Sequence, residues 1–191
     1  MNSNSTFAAN KSVSVFCSSA PDIPANSLQL AFDVGAAIAK SGWNLIWGGG
    51  KASMMGEVAK GARAFGGKTI GVIPDALVKI EFADHDSDVL HIVKDMRERK
   101  GMIEELSDAF VVLPGGAGTL EELFEIWVGR YLKFHNKPIV ILDPFEFYNP
   151  LHDFIDELQR QGFVKPGQRE IIHWASTIPD ALDAIANEIG K

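Results

Sequence analysis

The segment Pro114-Gly115-Gly116-Ala117-Gly118-Thr119-Leu120-Glu121-Glu122 places an anion cradle beside two acids. It runs from a hydrophobic stretch, Ala109 to Leu113, into an apolar one, Leu120 to Leu132, so the pattern predicts a strand, a glycine-rich turn and a helix. Glycines at such a turn let backbone N–H groups converge on an anion, and the helix N-terminus adds partial positive charge. Pro114, Gly115, Gly116, Gly118 and Thr119 are therefore candidate phosphate-binding residues. Glu121 and Glu122 fall in the first turn of the expected helix, next to that phosphate. Carboxylates so close to an anion are costly for binding alone and suggest chemistry beside it. Acids in a first turn also serve the helix dipole, an alternative that this segment leaves open.

A second group is Met96-Arg97-Glu98-Arg99-Lys100. On a helix from Asp95 to Ser107, Met96, Met102, Ile103 and Leu106 form an apolar stripe, and Arg99 belongs to it by spacing. An inward guanidinium needs an anionic partner, either a ligand or a structural carboxylate, unless it snorkels to water. Arg97 and Glu98 point elsewhere; Lys100 reaches either cleft or solvent. A third group is Gly48-Gly49-Gly50-Lys51-Ala52-Ser53. Ser53 breaks the dinucleotide fingerprint, and Leu45 and Ala52 break the Walker A pattern. A cradle for a monophosphate or ribose phosphate fits Gly48, Gly49 and Gly50 better than NAD or ATP, with a ligand-free tight turn as the alternative. Asp84-His85-Asp86-Ser87-Asp88 lacks EF-hand spacing and is expected to be a solvated acidic loop. The five histidines show no H-E-x-x-H pattern, and no metal site is expected.

Alternating elements must hold these groups. Strands are expected at Val13–Cys17, Trp43–Trp47, Thr69–Ile73 (stopped by Pro74), Val89–Lys94, Ala109–Leu113, Pro138–Leu142 and Ile171–Ala175. Helices are expected at Ser27–Lys40, Met54–Phe65, Asp95–Ser107, Leu120–Leu132, Phe147–Gln161 and Pro179–Ile189. The alternation predicts one α/β domain over residues 12–191, a Rossmann-like, doubly wound parallel sheet with helices on both faces, after a disordered tail over residues 1–11. Ligands of such sheets bind outside the carboxyl ends of the strands. The unusual segments, including Cys17-Ser18-Ser19, follow the first, second, fourth and fifth strands and so converge on one cleft. The helix after the fifth strand is apolar nearly all round, which points to a subunit interface, or else to a central core helix.

The net charge of -7 argues against nonspecific nucleic-acid binding. No apolar run approaches the roughly 18 residues of a membrane span. No signal peptide is evident at the N-terminus, and the one cysteine, Cys17, excludes an internal disulfide framework, so a cytoplasmic location is expected. Cys17 itself fits packing at a strand end.

With these residues in hand, the chain resembles the LONELY GUY (LOG) family of cytokinin riboside 5′-monophosphate phosphoribohydrolases. Its P-G-G-x-G-T-x-x-E pattern is matched from Pro114 to Glu122, and its M-x-x-R-K element by Met96, Arg99 and Lys100. The resemblance implies that Arg99 and Glu122 are a catalytic pair and that Gly115, Gly116, Gly118 and Thr119 bind the phosphate. It implies a dimer or higher homo-oligomer, no cofactor, and hydrolysis of the N-glycosidic bond of an N6-modified AMP to free base and ribose 5-phosphate. Lys51, Ser53, Ser18 and Arg97 depart from the family pattern around the ligand, which bears on substrate preference. A broader nucleoside 5′-monophosphate nucleosidase, or a non-catalytic carrier of a nucleotide or molybdenum cofactor, are the alternatives. The lysine-decarboxylase label borne by relatives is not supported, since no lysine stands out as a Schiff-base residue.

Overall fold

Strands buried on both sides read as continuous apolar runs, and helices must then cover both faces. The computed structural model describes residues 10–189 and has this form. The strands are β1 (Ser12–Phe16), β2 (Asn44–Trp47), β3 (Thr69–Pro74), β4 (Val89–Val93), β5 (Ala109–Val112), β6 (Ile139–Leu142) and β7 (Ile172–Ala175). They lie in the order β4-β3-β2-β1-β5-β6-β7, and every neighbouring pair is parallel. Successive side chains point to opposite faces. Val13 and Val15 of β1 join one core, under α1 (Ala25–Lys40), α2 (Ser53–Ala64) and α7 (Ile178–Glu188). Phe16 joins the other, under α3 (Met96–Leu106), α4 (Ala117–Tyr131) and α5 (Asn149–Arg160). A short helix, α6 (Pro166–Arg169), and a 3-10 turn, Asp75–Leu77, have no counterpart in the expected pattern. Gly61 of α2 serves helix–helix rather than helix–sheet approach: a Cβ there would lie 2.0 Å from the Phe32 carbonyl of α1, as one on Gly35 of α1 would lie 2.0 Å from the Val58 carbonyl of α2.

Chain order runs outward from β1 to β4 on one side and from β5 to β7 on the other, so the sheet reverses between β1 and β5. The crevice at that reversal is where doubly wound sheets bind ligands. β3 runs through Pro74, the residue expected to stop it, which pairs with Val93 as the last residue of the strand. Of the expected tail, residues 1–9 lie outside the described residues; the Lys11 carbonyl accepts from the Asn44 N–H at 2.8 Å. Among the described residues no helix is long and apolar enough to cross a membrane.

Two departures matter for the site. The helix expected from Leu120 begins at Ala117, with Gly116 as its N-cap. Gly118 and Thr119 thus form its first turn, and Glu121 and Glu122 move to the second. Glycine is a poor interior helix residue, yet a first turn has no intrahelical bond for its N–H to lose. Dipole stabilisation fades beyond the first turn, so it does not account for either acid. The acidic loop, expected to be solvated, is instead a fastener. Asp84 is fully buried and meets Arg63 at 2.8 Å and Lys51 at 3.6 Å. Asp88 accepts from the Thr69 N–H and hydroxyl at 2.8 and 2.9 Å. A buried carboxylate needs such partners, and Arg63 lies 21 residues away, beyond the reach of a local pattern.

Candidate active site

Arg99 is delivered by α3, whose first turn is fixed by the Asp95 carboxylate accepting from the Arg97 and Glu98 N–H groups. The guanidinium is 5% exposed and donates in three directions. Its Nε–H donates to the Val72 carbonyl of β3 at 3.1 Å. Its Nη2 donates to the Gly48 carbonyl at 2.9 Å and to Glu81 Oε2 at 3.2 Å. The anionic partner required by the sequence is therefore Glu81, a residue that the sequence pattern passes over. The signal was available: 75–84 is the loop after β3, at the same carboxyl edge as the other site segments. Gly48, Gly49 and Gly50, expected to cradle a phosphate, lie on the Arg99 side of the site. Gly48 backs Arg99 so closely that a Cβ there would lie 2.0 Å from Nη2, and Gly49 takes φ +73°. None of the three lines the cavity described next.

That cavity, of about 300 Å³, opens at the carboxyl ends of β1 and β5. Cys17, Ser18, Glu81, Arg99, Thr119 and Glu122 wall it, and Met96, Gly116, Gly118 and Glu121 also contribute. No side chain caps α4, so the N–H groups of its first turn are free to meet an anion. Glu122 lies one turn further in. Burial pushes its carboxyl up to about 7; the positive charge of Arg99 opposes this, and Glu121 and Glu81 reinforce it. Desolvation outweighs the neighbouring guanidinium. Cys17 is buried and its thiol is pushed up by desolvation, which keeps it neutral.

Other predicted residues sit around this centre. Lys100 does not line the cavity; it pairs with Glu121 and, at 2.7 Å, with Glu125. Lys51 pairs with Asp86 at 2.7 Å and does not reach the cavity. Ser53 opens α2 at φ +50° with a buried, unpartnered hydroxyl. Pro114 and Gly115 line a second, apolar cavity of about 430 Å³ with Ile23, Met54, Phe145 and Phe147. The two cavities share Ser18, Ala20 and Gly116. Tyr148, also unforeseen, donates its hydroxyl to the Leu113 carbonyl at 3.0 Å and so buttresses the glycine turn from α5. A larger depression, about 560 Å³ between α5 and α6, is walled by Asp156, Arg160 and Arg169, which already pair with near neighbours, and holds none of the site residues.

The fold agrees with that of solved structures similar to this chain. A family model described as "Possible lysine decarboxylase" matches residues 55–185. A cytokinin riboside 5′-monophosphate phosphoribohydrolase of Mycobacterium tuberculosis is 49% identical over 174 residues, covering 91% of this chain and 92% of the relative. The chain belongs to the LOG family. A LOG relative of the same name from Rhodococcoides fascians is 42% identical over 92% of this chain and 89% of its own length. Among solved structures, the molybdenum cofactor carrier protein of Chlamydomonas reinhardtii superposes with a TM-score of 0.71 at 27% identity, covering 95% of this chain and 99% of its own. The decarboxylase description of the LOG model finds no support in the site, because no lysine lines the cavity to form a Schiff base.

Proposed function

We propose that this chain hydrolyses the N-glycosidic bond of a nucleoside 5′-monophosphate, with N6-modified AMP as the substrate and a free cytokinin base and ribose 5-phosphate as products. The observation that carries the reading is that the uncapped N-terminus of α4 and the desolvated Glu122 and Arg99 face one cavity. The 5′-phosphate rests on the first-turn amides of α4 with the Thr119 hydroxyl. The bond between C1′ and the base nitrogen breaks, the oxygen of water bonds to C1′, and a proton passes to the departing base. Ionised Glu122 takes the proton of the attacking water and steadies the oxocarbenium-like sugar. Arg99 lies beside it as a fixed positive charge, with Met96 at the wall. Glu121, tied to Lys100, shapes the rim. The 49% identical relative bears the name of this activity, whereas the carrier neighbour stands at 27%.

The same reading includes self-association and a cytoplasmic location. α4 buries Leu123, Ile126 and Trp127 but leaves Val128 and Leu132 exposed, and Phe134 follows just beyond it, 77% exposed. A second copy of this chain covering that stripe makes the homodimer, and sedimentation at micromolar concentration tests it; subcellular fractionation tests the location. The activity is tested by incubating the protein with N6-isopentenyl-AMP and, separately, AMP, and measuring released base by chromatography. Release from the prenylated nucleotide supports the reading, and the ratio to AMP sets the preference. No release from any nucleotide, with tight retention of a molybdenum cofactor, would replace it with the carrier reading.

A further inference from the structure

Two largely buried carboxylates lie close to Arg99, and the motifs account only for Glu122. Glu81 is the other. We propose that Glu81 is a positioning residue for the hydrolysis proposed above: it fixes the outer nitrogen of Arg99 and keeps the guanidinium from closing onto Glu122.

The segment that carries Glu81 is built to hold it inward. It leaves β3 at Pro74, makes the 3-10 turn Asp75–Leu77, and returns to the sheet edge where Ala83 bridges Gly50. The Lys51 N–H donates to the Glu81 and Phe82 carbonyls at 3.1 and 2.9 Å. The Asp84 N–H donates to the Gly49 carbonyl at 2.8 Å, and the buried Asp84–Arg63 pair anchors the end of the segment. Phe82 takes φ +52° while its side chain is 68% exposed. A left-handed phenylalanine is conformationally costly. No burial of its ring offsets that cost. The turn does, however, leave Ile80 and Phe82 facing water on either side of Glu81, whose side chain is only 14% exposed.

The electrostatics give Glu81 its task. Arg99 and Glu122 are buried opposite charges at one cavity, and their direct pairing would spend the base on the guanidinium. Glu81 competes for Nη2, together with the fixed carbonyls of Val72 and Gly48. Arg99 is then held with its partners on the β2 and β3 side. The charged and titratable groups facing Glu122 are Arg99, Lys100 and Glu104 from α3, Glu81 from this segment, Glu121 and Glu125 from α4 and Cys17 at the end of β1. Removing the Glu81 charge leaves Arg99 as the dominant neighbour and lowers the pH at which Glu122 ionises.

The test compares Glu81→Gln and Glu81→Asp with the unaltered protein. Glu81→Gln should lower kcat by about tenfold or more while KM changes by less than about threefold, because the phosphate is held by α4. The acid limb of its kcat profile should move to lower pH, and Glu81→Asp should recover part of kcat. A purely structural lesion would not move that limb. Nitrogen-detected NMR of the Arg99 guanidinium supplies a readout that needs no turnover. In the unaltered protein rotation about the Nη bonds should be slow, and in Glu81→Gln it should be fast. If the unaltered protein releases no base from any nucleotide, the hydrolase reading fails while the NMR comparison still decides what Glu81 does. A Glu81→Gln protein with kcat within about twofold and an unmoved limb overturns the proposal. So does a fast-rotating guanidinium in the unaltered protein, a result that stands even if the variants fail to fold.

Discussion

Two glycine-rich strand-to-helix turns flank the end of β1 at the carboxyl edge of the sheet, and they do opposite things. Gly48-Gly49-Gly50, after β2, gives its space to Arg99: the missing side chain at Gly48 is where Nη2 lies. Gly116-Ala117-Gly118, after β5, leaves its space open: a Cβ on Gly116 or Gly118 would meet nothing within 4 Å. One turn seats a charged side chain, and the other offers bare amides to a ligand. Glycine spacing alone does not separate these uses. What separates them is whether another part of the chain, here α3, fills the gap.

The largest effects should come from the groups between the two turns. Arg99→Ala and Glu122→Gln should each lower turnover by roughly 10²-fold or more with the fold retained. A folded Glu122→Gln protein with near-normal turnover would remove Glu122 from the mechanism. The contrast itself is tested next by alanine at each turn. Gly48→Ala displaces the guanidinium and should lower kcat by about tenfold or more with little change in KM, whereas Gly116→Ala puts a methyl group at the phosphate and should raise KM with kcat nearly kept. Equal kcat and KM effects at both turns would abolish the distinction drawn here.

Acidity sharpens the same picture. Glu122 titrates at about 7 in the folded protein against 4.5 for a free side chain, so the native state holds its proton more tightly than the unfolded state does. The contribution of this group to stability is therefore fully present below pH 4.5 and is lost as pH rises through about 7. Glu122→Gln removes that loss, and should stabilise the protein at pH 8 by roughly 1–3 kcal/mol while abolishing turnover. Thermal unfolding at pH 5 and pH 8 measures it; a variant no more stable at pH 8 contradicts the burial of this carboxyl. In the unaltered protein kcat/KM should rise with pH through about 7, as ionised Glu122 forms.

The smallest effect lies at the edge of the first turn. Ser53 holds φ +50° with an unpartnered buried hydroxyl, so Ser53→Gly should stabilise by about 1 kcal/mol, a rise in Tm of roughly 2–4 °C, without altering kinetics. A loss of affinity instead would give Ser53 a place in binding.

Much of this architecture is legible in the chain. The strands are short, apolar on both faces and separated by helix-length segments, so their number and parallel arrangement follow from periodicity. The inward direction of Arg99 follows from its place between Met96 and Ile103. Other features depend on distance in sequence. Glu81 faces Arg99 across 18 residues and the Gly48 carbonyl meets it across 51, and no local pattern encodes either meeting. The start of α4 was hidden for a different reason: glycine marks loops in general but is tolerated where a helix keeps its first amides free. The acidic loop read as solvated because its charges are dense, while Asp84 is folded under and matched by Arg63.

Cys17 holds the one thiol of the chain and stands in the wall of the candidate cavity. Being buried and protonated, it should ignore alkylating reagents until the wall parts. Its labelling rate is then a clock for breathing of the cavity, read without substrate and without any introduced probe. A nucleotide that occupies the cavity should slow that clock in proportion to its occupancy, so mass spectrometry of this one sulfur ranks candidate ligands by affinity even when none of them is turned over.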